Sequence, residues 1–212
     1  MDDYAAFRRL CRTVYVAARA GSVDCTDAFD LAAAALESTP GDAAATELAS
    51  LSIDCAEASR PRMAELALAV LDAVDYEPGF AEEPAWLAGL QDAMRLVNQD
   101  VTATGLPHPC RLKVHPDQPD LTGNAYAASW DGHTGTAQGV FPRSGADPVS
   151  ALVAVAEDTQ DAIMHTIWAA WPVCPEHHLG VHAEDHHESA VWWCTGAGGH
   201  AVAPIGDWRA RS

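Results

Sequence analysis

Residues 171–208 read WPVCPEHHLGVHAEDHHESAVWWCTGAGGHAVAPIGDW. The stretch holds two of the six cysteines, six of the ten histidines and four of the seven tryptophans. Cys174 and His177 stand in a C-P-x-H knuckle, and Cys194 and His200 form a wider C-x5-H pair twenty residues further on. Two short pairs of soft ligands on turns, separated by a hairpin-length segment, match what a tetrahedral zinc ion requires. The stretch therefore predicts a zinc-ribbon-like module with Cys174, His177, Cys194 and His200 as metal ligands. Five residues between Cys194 and His200 is a wide spacing, which leaves His178 and His182 as alternatives for the fourth ligand. The glycines of Thr195-Gly-Ala-Gly-Gly199 lead into no helical pattern and read as a ligand-bearing turn, not a phosphate loop. His182, His186 and His187 at the tip read as a solvated loop.

Upstream of this stretch the pattern is helical plus a little sheet. Residues 146–170 form a long amphipathic helix, with Asp147 as N-cap and Pro148 in the first turn. Its expected buried stripe is Val149, Leu152, Val153, Ala156, Ile163, Met164, Ile167 and Trp168, with Glu157, Asp158 and Asp161 facing water. Before it, residues 111–115, 124–130 and 133–141 alternate as strands. Asp131-Gly132 supplies a two-residue type I′ hairpin that would set Trp130 opposite His133. Residues 3–20, 24–38, 42–56, 59–74 and 84–103 carry apolar residues at helical spacing, punctuated by Gly21, Pro40-Gly41, Pro61 and Pro84.

The expected architecture is α+β. A bundle of about five helices (residues 1–105, an acidic helical domain) precedes a domain at 106–212. That second domain comprises a small antiparallel sheet, the long helix and the metal-bearing hairpin of 171–208.

Composition narrows the function. Thirty acids against twelve bases give a net charge of −18, and residues 1–105 alone carry 18 acids and 7 bases. Such a surface repels phosphate backbones and suits a basic protein partner, which argues against nucleic acid. No run of apolar residues is long enough to span a membrane. The opening MDDYAAFRRLC lacks the apolar core of a secretory leader, so a cytoplasmic protein is expected. Thiols there stay reduced, which favours metal over a Cys174–Cys194 disulfide. Cys11, Cys25 and Cys55 fall in helical patterns and read as small core residues. No HExxH, nucleophile elbow, phosphate-binding glycine loop or deaminase signature is present, so no catalytic residue is assigned.

The pattern Trp171-Pro-x-Cys-Pro-x-His177, followed by Trp193-Cys194 and Ile205-Gly206, resembles the ending of a group of uncharacterised actinobacterial proteins. In these a short helix-plus-sheet module precedes a similar WPxCPxH…WxC block. The resemblance covers residues 110–208 and implies zinc binding. The block is also similar to zinc ribbons in general, with two histidines where many ribbons have cysteine.

Three functions are expected in descending order. The first is a non-enzymatic zinc-binding interaction protein, of adaptor or of immunity or inhibitor type, whose acidic surface meets a basic partner. The second is a metal-dependent enzyme of hydrolase type, with its site between the helical half and the ribbon and a nearby carboxylate such as Glu176, Glu184, Asp185 or Glu188 as base. The third is a nucleic-acid-binding ribbon, which the charge disfavours.

Overall fold

The computed structural model describes residues 2–114 and 123–209, and all structural statements concern these. The chain is α+β, with six α-helices and five strands among the described residues. It divides into two compact units, Met1–Pro78 and Gly79–Ser212.

The first unit is helical. It contains α1 (Asp2–Arg19), α2 (Cys25–Ser38), α3 (Ala43–Asp54), a single 3-10 turn at Glu57–Ser59, and α4 (Arg60–Ala73). Local chemistry sets most of the boundaries. Gly21, at φ 67°, takes the left-handed position after α1. The Asp24 carboxylate accepts the backbone N–H of Thr26 at 2.8 Å to start α2, and Asp42 accepts that of Ala45 at 2.7 Å to start α3. Pro61 lies in the first turn of α4, where a missing N–H costs no hydrogen bond. The four helices bury Val14, Leu31, Leu48, Met63, Val70 and Leu71 against one another.

Cys11 is buried in this core, but Cys25 and Cys55 are not the small core residues expected of them. They form a disulfide that joins the first residue of α2 to the residue capping α3. Because α2 and α3 are linked by residues 39–42, the bond closes the open end of that helical pair. A disulfide persists in oxidising surroundings. The expectation of uniformly reduced thiols, which followed from the cytoplasmic reading, thus does not extend to this pair.

The second unit begins with α5 (Pro84–Ala103), followed by β1 (Arg111–Val114), β2 (Ala125–Ala128), a 3-10 segment at Pro142–Ala146, α6 (Pro148–Ile167), β3 (His182–Asp185), β4 (Ala190–Cys194) and β5 (His200–Pro204). The helical unit therefore ends before α5 and not near Gly105. Leu90, Ala93, Met94, Val97 and Val101 of α5 are buried together with Val155 and Ile163 of α6 and with residues of the sheets. Hydrophobic periodicity shows that α5 has an apolar face, but not which surface covers it.

Two small antiparallel sheets flank this helix pair. β1 and β2 pair with Arg111 opposite Ala128 and Val114 opposite Ala125. Asn98 of α5 grips the residue before β1, its amide exchanging two hydrogen bonds with the Cys110 backbone at 2.8 and 3.0 Å. The other sheet has the order β3-β4-β5, with His182 opposite Trp193 and Cys194 opposite His200.

The third strand expected at 133–141 is absent. Only single bridges, Ala128 to Thr134 and Ala125 to Val140, mark its course. The reason is a buried carboxylate. Asp158, expected to face water, is 2% exposed. It accepts the backbone N–H groups of Ala127 (2.5 Å) and Thr136 (2.8 Å) and the Thr136 hydroxyl (3.1 Å). These bonds draw residues 134–136 onto α6 and take donors that a strand ladder would use. Gly135 fits there because any Cβ would collide with Asp158.

The Asp131-Gly132 turn also differs from expectation. Gly132 has φ 95° but Asp131 has no positive φ, so the turn is not type I′. His133 lies against Asp131 (Nδ1 to Oδ2, 3.0 Å) and Thr166, and its carbonyl accepts the N–H of Ser129 at 2.8 Å, in place of the expected pairing with Trp130. Hydrogen bonds from Ser129, and also from Thr166 and His133, hold the Asp131 carboxyl below the usual range. The buried stripe of α6 is rotated relative to expectation as well. Asp158, Thr159 and Gln160 are buried, whereas Met164 and Trp168 are exposed.

Candidate metal centre

Residues 171–181 form a knuckle that departs from the end of α6. Helix α6 stops at Ile167, where Trp168 takes the left-handed conformation at φ 54° and its N–H returns to the Met164 carbonyl. Three residues later Trp171 turns into the core, edge-on to Trp192 at 5.5 Å, and donates its Nε1–H to the Thr104 hydroxyl at 2.8 Å. The buried Gln160 of α6 holds both ends of the knuckle. Its side-chain amide donates to the carbonyls of Trp171 (2.7 Å) and Val181 (2.5 Å). Within the knuckle, Cys174 N–H donates to the Leu179 carbonyl at 2.8 Å, and Val181 N–H to that of Pro172 at 3.1 Å.

The three-stranded sheet is anchored by another buried carboxylate. Asp100 of α5 is fully buried and accepts Trp192 Nε1–H (2.7 Å), Gly206 N–H (2.7 Å) and Trp208 N–H (2.8 Å). Burial pushes its carboxyl up, against the opposing effect of these three donors. Both sides of the candidate centre are thus tied to the helix pair by buried polar side chains, Gln160 on the knuckle and Asp100 on the sheet.

These anchors bring Cys174, His177, Cys194 and His200 together, with one ligand atom from each lying within 4.8 Å of all the others. Cys174 Sγ is 3.7 Å from His177 Nδ1 and 3.7 Å from His200 Nε2, while Cys194 Sγ is 3.5 Å from His177 Nδ1. A tetrahedral ion with metal–sulfur bonds of about 2.3 Å and metal–nitrogen bonds of about 2.0 Å has S···N edges of about 3.5 Å. The spacing fits a metal between the four groups. Both sulfurs are fully buried, and the two rings are half-buried at a centroid distance of 5.1 Å.

The local backbone is arranged for thiolates. His177 N–H points to Cys174 Sγ, and Gly196 N–H to Cys194 Sγ, each at 3.4 Å. Burial by itself would raise the Cys174 thiol, but hydrogen bonds from the backbone of His177 and Glu176 and from the His177 ring bring it down to about 6. Cys194 is raised, by burial first and then by the charge of the neighbouring Cys174. Cys174 thus ionises more readily than its neighbour Cys194, and a divalent cation held between them would supply the charge that allows both thiolates. Gly196 has a steric role too, because a Cβ there would run into the His177 ring.

Of the histidines considered for the fourth position, His200 is in the group and His178 and His182 are not. His178 is exposed with φ 57°, while His182 lies exposed on β3 opposite Trp193. His186 packs on His187 (4.3 Å) and Trp193 (4.6 Å) and is not a member of the four-residue group. Glu176, within the knuckle, has Oε2 4.0 Å from His200 Nε2.

Asp100 and Gln160 are the residues at this site that sequence reasoning passes over. Their only signal is polarity inside an otherwise apolar helical stripe, and a polar residue there is equally compatible with a solvated face. Comparison with family models, with curated proteins and with solved structures finds no match to this chain.

Proposed function

We propose that this protein is a non-enzymatic interaction protein whose residues 171–208 form a zinc-ribbon-like module, with zinc in a structural role and the acidic surface meeting a basic protein partner. The observation that carries the reading is the complete Cys2His2 donor set with both sulfurs fully buried. Four protein donors fill a tetrahedron, which is the pattern of a structural zinc rather than of a catalytic one with a position kept for water. Two thiolates and two imidazoles favour zinc over magnesium or calcium, which take oxygen ligands. The charge of −18 supports a cationic partner and weighs against nucleic acid. An adaptor and an inhibitor or immunity protein directed at a basic target are the two forms of this reading.

A second reading, a metal-dependent hydrolase, draws on Glu176. A carboxylate 4.0 Å from a ligand nitrogen is close enough to serve as general base if one histidine gave way to water. Metal analysis combined with X-ray absorption separates the two. The interaction reading expects one zinc per chain with two sulfur and two imidazole neighbours. A first shell containing water, together with hydrolytic activity lost in Glu176→Gln, would replace it with the enzyme.

A further inference from the structure

We propose that His186 and His187, at the tip of the β3–β4 hairpin, form a second metal site that holds a cupric ion through one imidazole nitrogen each. This site is separate from the Cys2His2 centre and does not depend on the role of that centre.

The hairpin makes the pair. Consecutive residues of a strand point to opposite faces, so neighbouring histidines in an extended chain hold their rings apart. Here the chain turns instead. His186 N–H donates to the Ser189 carbonyl at 2.8 Å, and His187 and Glu188 between them take φ values of 51° and 61°. Positive φ at both central positions is what a type I′ turn requires, and Asn-Gly adopts it most easily. Glutamate in the second position is less suited, so the tip is not built for turn stability alone. With His187 turned back, its ring centre lies 4.3 Å from that of His186, at an interplanar angle of 68°. The tip expected to be a solvated loop therefore carries two imidazoles in contact.

The ring spacing identifies the kind of ion. An imidazole bound to a metal through a bond of about 2.0 Å has its ring centre about 3.1 Å from the ion. Two such rings on one ion stand about 4.4 Å apart when their bonds meet at a right angle and about 5.1 Å apart at the tetrahedral angle. His177 and His200, at 5.1 Å, have the tetrahedral spacing. His186 and His187, at 4.3 Å, have the right-angled one. Right-angled nitrogen ligation is the preference of Cu2+ and Ni2+, and of the divalent first-row ions Cu2+ binds such donors most tightly.

His186 is also held by Trp193, whose ring lies 4.6 Å away at 30°. Trp193 in turn rests on Gly199, where an added Cβ would sit 3.1 Å from its Cζ2. One ligand is thus positioned by the sheet and the other by the turn. His187 is exposed, and among the described residues no third His, Cys, Asp or Glu joins the pair. Water completes the coordination shell, and the ion exchanges with solution.

The test uses the full-length protein supplied with one equivalent of zinc and titrates it with Cu2+, with Ni2+ as a redox-inert parallel. One Cu2+ per chain is expected at copper concentrations near that of the protein. Electron paramagnetic resonance should show two imidazole nitrogens on the ion, and tryptophan fluorescence should fall as the ion quenches Trp193. Trp193→Phe should lose that quenching while copper still binds. His186→Ala and His187→Asn are each expected to weaken copper binding at least about tenfold, the loss that removing even a supporting partner brings to a metal site. Asparagine suits the turn, so His187→Asn should keep its zinc content and its melting temperature. Absence of copper binding, or binding unchanged in both histidine variants, would overturn the proposal. Release of zinc in step with copper uptake would also overturn it, because copper would then occupy the four-residue group. Zinc content is measured separately, so copper at the tip of a chain that holds no zinc would uphold this site and remove the structural-zinc reading.

Discussion

The two units are held together by different means. In the helical unit the buried core is apolar, with Ser52 as its one polar member among the described residues, and the Cys25–Cys55 disulfide secures one edge. In the second unit Asp100, Ser129, Asp158, Thr159 and Gln160 are all buried, and each carboxylate or amide ties loop or strand backbone to a helix. Helices satisfy their own backbone, so packing them requires only apolar faces. Strands of four or five residues and long connections leave donors and acceptors open, and those groups need partners before they can be buried. The second unit therefore uses buried polar anchors and the candidate metal centre where the first uses side-chain volume.

Four experiments test this contrast. The largest effect is expected at the metal centre. Cys174→Ala removes a fully buried member of the candidate centre, and apparent zinc-binding free energies on the order of 10 kcal/mol drive the folding of zinc-finger-type sites. Hydrogen exchange should show residues 171–206 losing protection in that variant while α1–α4 keep theirs. Uniform loss across both units would refute the separation.

Asp100→Ala comes next. It strands the Trp192 indole N–H and the Gly206 and Trp208 amides, at a cost of about 3–5 kcal/mol. Denaturant unfolding monitored by tryptophan fluorescence reads this cost. A change below 1 kcal/mol would mean that the sheet does not depend on the carboxylate.

The disulfide gives the matching test in the other unit. Closing a loop of sequence separation 30 limits the unfolded chain, and a double Cys25→Ser, Cys55→Ser variant should lose about 3–4 kcal/mol in the chain-entropy account. Helix melting of residues 1–78 should fall while metal content stays the same. Loss of metal in this variant would show the two regions to be coupled.

The smallest effect is expected from Gly196→Ala. The added methyl displaces the His177 ring, and zinc affinity measured by chelator competition should fall about 10–100-fold with the fold retained. Unchanged affinity would mean that His177 has another route to the metal.

Legibility from sequence follows the range of the determining interaction. Helices α1 to α6 are readable because caps, prolines and apolar spacing act within a few residues, as at Asp24, Asp42, Pro84 and Asp147. The clustering of Cys174, His177, Cys194 and His200 is readable for a related reason. Each pair is local, and the β4–β5 register sets Cys194 directly opposite His200. The Cys25–Cys55 bond, the burial of Asp158, the missing strand at 133–141 and the placement of α5 are not readable, because each depends on a partner 20 or more residues away in sequence.

The α+β class, the helices, the acidic balance and the local Cys/His pairs can be read from the chain alone. Those properties are written in composition and short-range periodicity, which any chain of this sequence carries whatever it packs against. Which helix belongs to which unit, which acids are buried anchors, and that Trp171 enters the core while Trp168 stays in water depend on long-range packing. Apolar area and charge specify that a group must find a partner, but the partner is chosen by the packing of distant segments.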